Sequence, residues 1–510
     1  LVGSEMCIRD RYENQELPVV ASDVDCILLT HAHIDHSGLI PLMYVNGFRG
    51  QVYSTSATAQ LCEIMLRDSA HIQMFEAEWR NRKAARSGGK LKEFVPLYDM
   101  DAAVNVCKQF VGCEYDRVYD IAEGIKIRFT DVGHLLGSAS IEVWATEKTE
   151  NGDVTEKIVF SGDIGNINKP IIKDPKHVTD ADYVVMESTY GNRSHGGTPN
   201  YVEDLTNIFK RTFERGGNVV IPSFAVGRTQ ELLYIIRKIK EDNLVGRDFD
   251  VYMDSPLAIE ATNIFIKNVE SCFDDEAVEL VRKGINPLSF PGLKYATTGD
   301  ESKQINFDPN PKVIISSSGM CEAGRIRHHL KHNLWRPECT IVFVGYQAVG
   351  TTGRIIVDGA EEIKLFGEPI QIKAEIVQLK GSSGHADKDG LLCWINAFDT
   401  KPKKVFVVHG EDSVCDEFTE CLKEEYGYDA MAPYTGGSYD LIADRVISEG
   451  VKERKTRRTT STQRGKTVFD RLVAAGKRLM TVITHNEGGT NKDLAKFTDQ
   501  INALCDKWDR

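Results

Sequence analysis

The chain has no Cys-x-x-Cys pair, no long apolar run, no excess of basic charge and no repeat of 20–50 residues. Its twelve cysteines are scattered between Cys7 and Cys505. That spacing excludes a disulfide framework and reads as reduced thiols in a cytoplasmic protein. No stretch approaches the ~18 apolar residues of a membrane helix, so no membrane partner is expected. Leu1–Leu17 lacks the apolar centre of a signal peptide. With 62 Lys+Arg against 75 Asp+Glu, the net charge of −13 disfavours non-specific nucleic-acid binding. A local groove, or a metal that supplies positive charge, stays open. What is present is an ordinary globular composition, 41% apolar and 27% charged, over 510 residues. At about 150 residues per domain this is roughly three domains.

The two ends differ from the middle. Residues 1–11 (LVGSEMCIRDR) resemble translated adaptor sequence and read as a non-native leader, with an N-terminally truncated native chain from near Tyr12. Lys452–Lys466 is rich in basic residues with a single acid, which reads as a solvated linker or a strip touching nucleic acid. Beyond it, Val468, Phe469, Leu472 and Val473 predict a small helical tail. In between, strands are predicted at Cys26–Thr30, Ile125–Thr130, Ile158–Ser161, Tyr183–Glu187, Asn218–Pro222, Lys312–Ser316, Thr340–Val344 and Val405–His409. Helices are predicted at Ser37–Asn46, Thr55–Asp68, Tyr201–Arg215 and Thr229–Glu241. Apolar strands flanked by helices make this an α/β chain.

The strongest local signal is an apolar strand running into His31-Ala32-His33-Ile34-Asp35-His36. In extended chain His31 and His33 project to one side and reach one metal. Asp35 and His36, at the turn into a helix, point to a second metal ~3.5–4 Å away. Imidazole with carboxylate is a zinc-type donor set. Three later strands end in the same kind of residue: His134 in Asp131-Val132-Gly133-His134, Asp163 in Ser161-Gly162-Asp163, and His409 in Val407-Val408-His409. Strand ends on one rim of an α/β sheet are where sites are assembled.

HAHIDHSG, VGHLLGSA, FSGDIG and VVHGE resemble the metal motifs of metallo-β-lactamase-fold hydrolases. ESTYG (Glu187–Gly191), PSFAVGRTQELL (Pro222–Leu233), DSPLA (Asp254–Ala258), SSSGM (Ser316–Met320), GYQAVGTTGR (Gly345–Arg354) and SSGHAD (Ser382–Asp387) are similar to motifs of its β-CASP nuclease branch. Within that branch the likeness is to bacterial and archaeal homologues of the endonuclease that cleaves pre-messenger RNA 3′ ends. The resemblance runs from about Val19 to Arg445. It implies an αββα sandwich with an inserted β-CASP cap, divided as 12–198 (sandwich, first part), 199–352 (cap), 353–445 (sandwich, second part) and 446–510 (tail).

It also implies two Zn2+ per chain. His31, His33 and His134 would hold one, Asp35, His36 and His409 the other, and Asp163 would bridge them. His385 would act as general acid with Glu187 holding its ring, and Asp35 counts as catalytic as well as ligating. An imidazole suits that task because its ordinary pKa lies at about 6.5. The implied reaction is hydrolysis of an RNA phosphodiester, through attack by a metal-bridging hydroxide, leaving a 5′-phosphate. Single-stranded RNA is favoured over DNA because a histidine, His409, stands at the last metal motif. Arg228 and Ser316–Ser318 are candidate phosphate contacts on the cap. Relatives often form homodimers.

Two alternatives compete: a hydrolase of small esters or thioesters on the same fold, and a silent RNA-binding subunit. The cap motifs speak against the first and the complete ligand set against the second. His328, His329 and His332 sit at a spacing that also suits zinc, but a packed helix face is the expectation. Trp79–Arg86 reads as a solvated basic helix with RNA contact as the alternative, and Cys107 with Cys113 gives no metal pattern. One departure stands out: the family's upstream Asp-Cys-Gly motif, which supports the ligands, has no counterpart before His31.

Overall fold

The computed structural model describes residues 17–86, 94–150, 152–194, 196, 200–379, 383–451, 472–473, 475–476, 479–480, 482–484 and 491–508. The leader at 1–11, the basic strip Lys452–Lys466, and Val468, Phe469 and Ser382 lie outside the described residues.

Two sheets form the sandwich. The smaller has three parallel strands in the order Cys26–Leu28, Gln51–Thr55, Phe110–Cys113. The larger has seven, in the order Ala430–Met431, Lys404–Val408, Tyr183–Glu187, Gly152–Phe160, Ala139–Thr149, Ile125–Asp131, Val118–Ala122. The Ala139 N–H donates to the Thr30 carbonyl at 2.9 Å and ties one sheet to the other. Between them Ile127, Phe129, Ala139, Ile141 and Val143 pack with Leu28, Tyr53 and Phe160. The outer face of the large sheet is covered by Lys388–Ile395 and Asp412–Glu424, which bury Trp394 and Phe418. Each such ring contributes ~2–3 kcal/mol through burial. The long helix Ser56–Arg86 and Met100–Cys107 cover the small sheet. This is the αββα layering that the motifs imply.

Pairing directions place the site. Ile125–Asp131 and Gly152–Phe160 both run antiparallel to Ala139–Thr149, so they share a direction. Tyr183–Glu187 and Lys404–Val408 continue it in parallel. Four strands therefore deliver their C-terminal ends to one rim.

The cap is a six-stranded parallel sheet in the order Leu293–Tyr295, Asp250–Asp254, Lys312–Ser316, Val219–Pro222, Thr340–Phe343, Glu375–Gln378. Its central strands are buried throughout, because helices cover both faces. Ser255 accepts from the Ala258 N–H at 3.2 Å, and Pro256 opens that helix, where its missing N–H is harmless. The last strand of this sheet lies beyond residue 352, where the motifs alone ended the cap.

Most predicted elements recur within a residue or two of their expected ends. Ser37–Asn46 instead forms two short helices, Ile34–Ser37 and Ile40–Val45. Pro41 has no N–H to return to Ser37, so the turn breaks there. Thr55–Asp68 is the start of a helix that runs from Ser56 to Arg86.

Candidate metal centre

The rim gathers side chains from five segments far apart in sequence. His31 and His33 follow the strand Cys26–Leu28 and precede the helix Ile34–Ser37, which carries Asp35 and His36. His134, Asp163 and His409 follow the ends of three strands of the large sheet, and Glu187 ends a fourth. Gly162 sits at φ +60 with its Cα packed on Ala139 and Thr30, so a Cβ there would meet the Ala139 oxygen at 2.8 Å. Glycine is required to turn the chain into Asp163. His409 itself lies at φ 50, a left-handed conformation held by the Ser188 N–H, which donates to the His409 carbonyl at 3.1 Å.

His33 Nδ1 lies 3.1 Å from both His31 Nε2 and His134 Nε2. Asp163 Oδ2 stands 3.3 Å from His31 Nε2 and 3.6 Å from His134 Nε2. On the other side, Asp163 Oδ1 lies 3.3 Å from His36 Nε2 and 3.5 Å from His409 Nδ1. His36 Nε2 and His409 Nε2 are 3.2 Å apart, and Asp35 Oδ2 is 3.7 Å from His409 Nε2. One carboxylate therefore faces two separate groups of imidazoles.

This arrangement makes poor sense without a cation. His33 Nδ1 faces two ring nitrogens at once, and buried Asp163 Oδ1 has no hydrogen-bond donor among the described residues. Donors ~2.1 Å from a tetrahedral metal stand ~3.4 Å apart, close to the spacings seen here. Burial, joined by neighbouring imidazoles, pushes His33 down to about 3 and lowers His31 and His134, leaving neutral rings with lone pairs. Burial opposes charge on Asp163, yet His409, His36 and His31 hold its carboxyl well below the usual range. Against its own burial, His409 is pushed up to about 9 by Asp163 and Asp35. The donor set fits a pair of divalent ions.

Supporting contacts fix the rings. The Thr30 hydroxyl lies 3.1 Å from His31 Nδ1, and the Thr189 hydroxyl 3.1 Å from His409 Nδ1. His134 Nδ1 meets the Gly384 carbonyl at 3.2 Å, which fixes the tautomer and turns Nε2 inward. Thr30 stands beside His31, and Thr189 and Gly384 fall inside the ESTYG and SSGHAD motifs, though no local pattern shows which ring each supports. The last two come from remote segments.

Beside the cluster, His385 Nδ1 lies 3.3 and 3.2 Å from the two oxygens of Glu187, while Nε2 looks toward Asp163 Oδ2 at 3.9 Å. Glu187 also accepts from the Ile164 N–H at 2.5 Å and the Thr189 N–H at 3.3 Å. The His385 segment is stitched on by the Ala386 N–H, which donates to Ile164 at 2.7 Å, and by Asp387, which caps the helix Lys388–Ile395. Burial resists charge on the His385 ring, but Glu187 and Asp163 outweigh it and raise its pKa.

The remaining candidates separate. Arg228 pairs with Glu231 at 2.5 Å. Ser316 turns its hydroxyl inward, donating to the Asp254 carbonyl at 2.8 Å, and Ser318 donates to Ala323 at 3.3 Å. Ser317 Oγ is buried with no partner among the described residues. His328, His329 and His332 diverge: His328 stacks on Phe366 at 4.4 Å, His332 meets the Phe307 edge at 6.2 Å, and His329 is bonded to Asp254 at 2.6 Å. Trp79, Arg82 and Ala85 are exposed near the end of the helix Ser56–Arg86, where Arg80 and Arg82 pair with Glu76 and Glu78. The described cysteines, Cys107 and Cys113 included, are free thiols.

A family model described as a Beta-Casp domain matches residues 229–356. A second, described as a Zn-dependent metallo-hydrolase RNA specificity domain, matches residues 369–433. Ribonuclease TTHA0252 of Thermus thermophilus is 34% identical over 390 residues, covering 76% of this chain and 82% of the relative. The RNase J-like protein of Methanocaldococcus jannaschii is 31% identical, covering 78% and 84%. Transcription termination factor FttA of Methanosarcina mazei is 32% identical over 81% of this chain, which spans 62% of that relative. With its layers, its rim and these likenesses taken together, the chain belongs to the β-CASP branch of the metallo-β-lactamase-fold nucleases.

Proposed function

We propose that the protein is a two-zinc ribonuclease that cuts single-stranded RNA internally. The observation that carries this reading is Asp163, one buried carboxylate with an imidazole group on each of its oxygens and no donor for Oδ1 among the described residues. In this reading His31, His33 and His134 hold one ion, Asp35, His36 and His409 the other, and Asp163 bridges. When bound, such a pair supplies an activated water and neutralises charge on phosphate oxygens.

The chain's own residues do the rest. Glu187 orients the His385 ring through Nδ1 and favours its protonated form, which keeps Nε2 on the side of Asp163. From there Nε2 gives its proton to the departing 3′ oxygen. The water oxygen ends on phosphorus, so the products are a 3′-hydroxyl and a 5′-phosphate. Glu187, by holding the Ile164 N–H, also fixes the backbone next to Asp163. The RNA preference rests on the RNA specificity match and on His409. The ribonuclease likeness spans more of its relative than the termination-factor likeness does, 82% against 62%, and is preferred on that ground.

The domain boundaries proposed are a sandwich interrupted by a cap that opens near residue 199 and keeps the strand Glu375–Gln378. The test combines metal analysis with cleavage of end-labelled single-stranded RNA and matched DNA, beside His385→Ala. About two zincs per chain, internal cuts in RNA, intact DNA and a nearly dead variant are expected. Intact RNA despite full metal loading would remove the reading and favour a small ester as substrate.

A further inference from the structure

Lys169 belongs to none of the metal or cap motifs, yet it stands where three segments of the site meet. Its side chain is only 10% exposed. Nζ donates to the backbone carbonyl of His134 at 2.8 Å. It also lies 3.5 Å from Glu231 Oε1, on the cap helix Arg228–Glu241. The other Glu231 oxygen takes Arg228 at 2.5 Å. A Cβ built on Gly384, the residue before His385, would lie 3.9 Å from the same ammonium.

An ammonium this deep is expensive unless its bonds are specific, and a leucine or methionine would fill the space with less desolvation. What the ammonium adds is a connection. His134 is held at its N–H by Ser138 Oγ at 3.0 Å, at its ring by Gly384, and at its carbonyl by Lys169. Only the last of these three leads to the cap. A second touch lies alongside it: a Cβ on Gly227, at the start of the same helix, would meet Leu135 at 3.0 Å.

We infer that Lys169 is a positioning residue, a buried latch that ties the His134 loop to the cap through Glu231 and so makes metal binding depend on a seated cap. The inference rests on His134 being a ligand. RNA lying between cap and sandwich then meets a centre whose geometry is set from both sides.

The test measures metal dissociation constants by competition with a chromogenic chelator, together with kcat and KM on RNA. It uses the full chain carrying Lys169→Met, Glu231→Gln, both, or Lys169→Arg, with His134→Ala as control. Each of the first two is expected to weaken one metal by ~10–100-fold, as losses behind a ligand do. Both should lower kcat more than they raise KM. The double variant should be no worse than the worse single, because the two residues act as one unit. Lys169→Arg should recover part of the affinity. Should Lys169→Met fold poorly, the milder Glu231→Gln decides alone. Parent-like metal affinity in a folded Glu231→Gln or Lys169→Met protein would overturn the latch, as would simple additivity. Full metal retention in His134→Ala would overturn the ligand assignment, and the latch with it.

Discussion

Among the described residues, two buried histidine–aspartate clusters are built on opposite rules. In the cap, Asp254 is completely enclosed: Oδ2 meets His329 at 2.6 Å and Ser302 at 2.5 Å, and Oδ1 meets Arg325 at 2.7 Å. His329 uses its second nitrogen on Asn306 at 3.0 Å. Every polar atom there is answered by another part of the protein. In the sandwich, Asp163 is as deeply buried, but ring nitrogens face ring nitrogens and Oδ1 has no donor among the described residues. A self-satisfied cluster stabilises the fold. One left incomplete within the protein suits a site where an ion completes it.

The comparison breaks first at Asp163. Asp163→Asn should leave less than ~one metal per chain and lower RNA cleavage about a thousandfold or more, since in the proposed reading Asp163 would serve both ions. Chelation of the parent should match it, and zinc should restore only the parent. Metal analysis and a cleavage assay read both, and a variant that keeps two ions and its rate would erase the distinction.

Next comes His385→Ala. It should lower kcat by ~10²–10⁴-fold with metal content unchanged if, as proposed, the ring acts as the general acid and holds no ion. Loss of metal in this variant would make it a ligand instead.

In the cap the expected effect moves from activity to stability. Asp254→Ala strands Arg325 and His329 and should destabilise the protein by ~3–5 kcal/mol, read by denaturant unfolding, with both metals retained. The smallest effect concerns pH. Burial works against charge on Asp254, but His329, Ser302 and Arg325 overcome it and lower its pKa. A depressed carboxylate stabilises the fold above its unfolded pKa of about 3.9, and that stability is lost as pH falls through the lower folded value. Melting temperature followed from pH 6 downward should therefore drop less steeply at the acid end in Asp254→Asn than in the parent.

How much of this was legible in the sequence follows from the range of the interactions. The histidine and aspartate motifs announce themselves because each is a strand end with its own local pattern, and four of them repeat it. The pairing of Glu187 with His385 came from resemblance, since 198 residues separate them. Thr189 and Gly384 fall inside the ESTYG and SSGHAD motifs, but nothing local shows what they touch, and Lys169 gave no signal at all. Their identities are ordinary, and only folding brings them to the site. His329 shows the same limit. Its burial fits the packed helix face expected of this segment, where the zinc-compatible spacing was that of His328 with His332, but its partner Asp254 lies 75 residues away, which no local pattern carries. The strand Glu375–Gln378, which pairs with Thr340–Phe343, drew no prediction for a similar reason: it follows an antiparallel hairpin, Glu362–Leu365 with Glu368–Gln371, that interrupts the βα alternation.

The rim is assembled out of sequence order. His36 and His409 touch at 3.2 Å across a separation of 373 residues. The strand bringing His409 pairs on one side with Tyr183–Glu187 and on the other with Ala430–Met431. A chain emerging from the ribosome therefore carries His31 and His33 long before His409 can join His36. On the proposed reading, synthesis itself withholds the nuclease: the growing polypeptide has no complete centre until the strand Lys404–Val408 has docked. Contacts this distant also fold slowly, which lengthens the interval between making the protein and arming it.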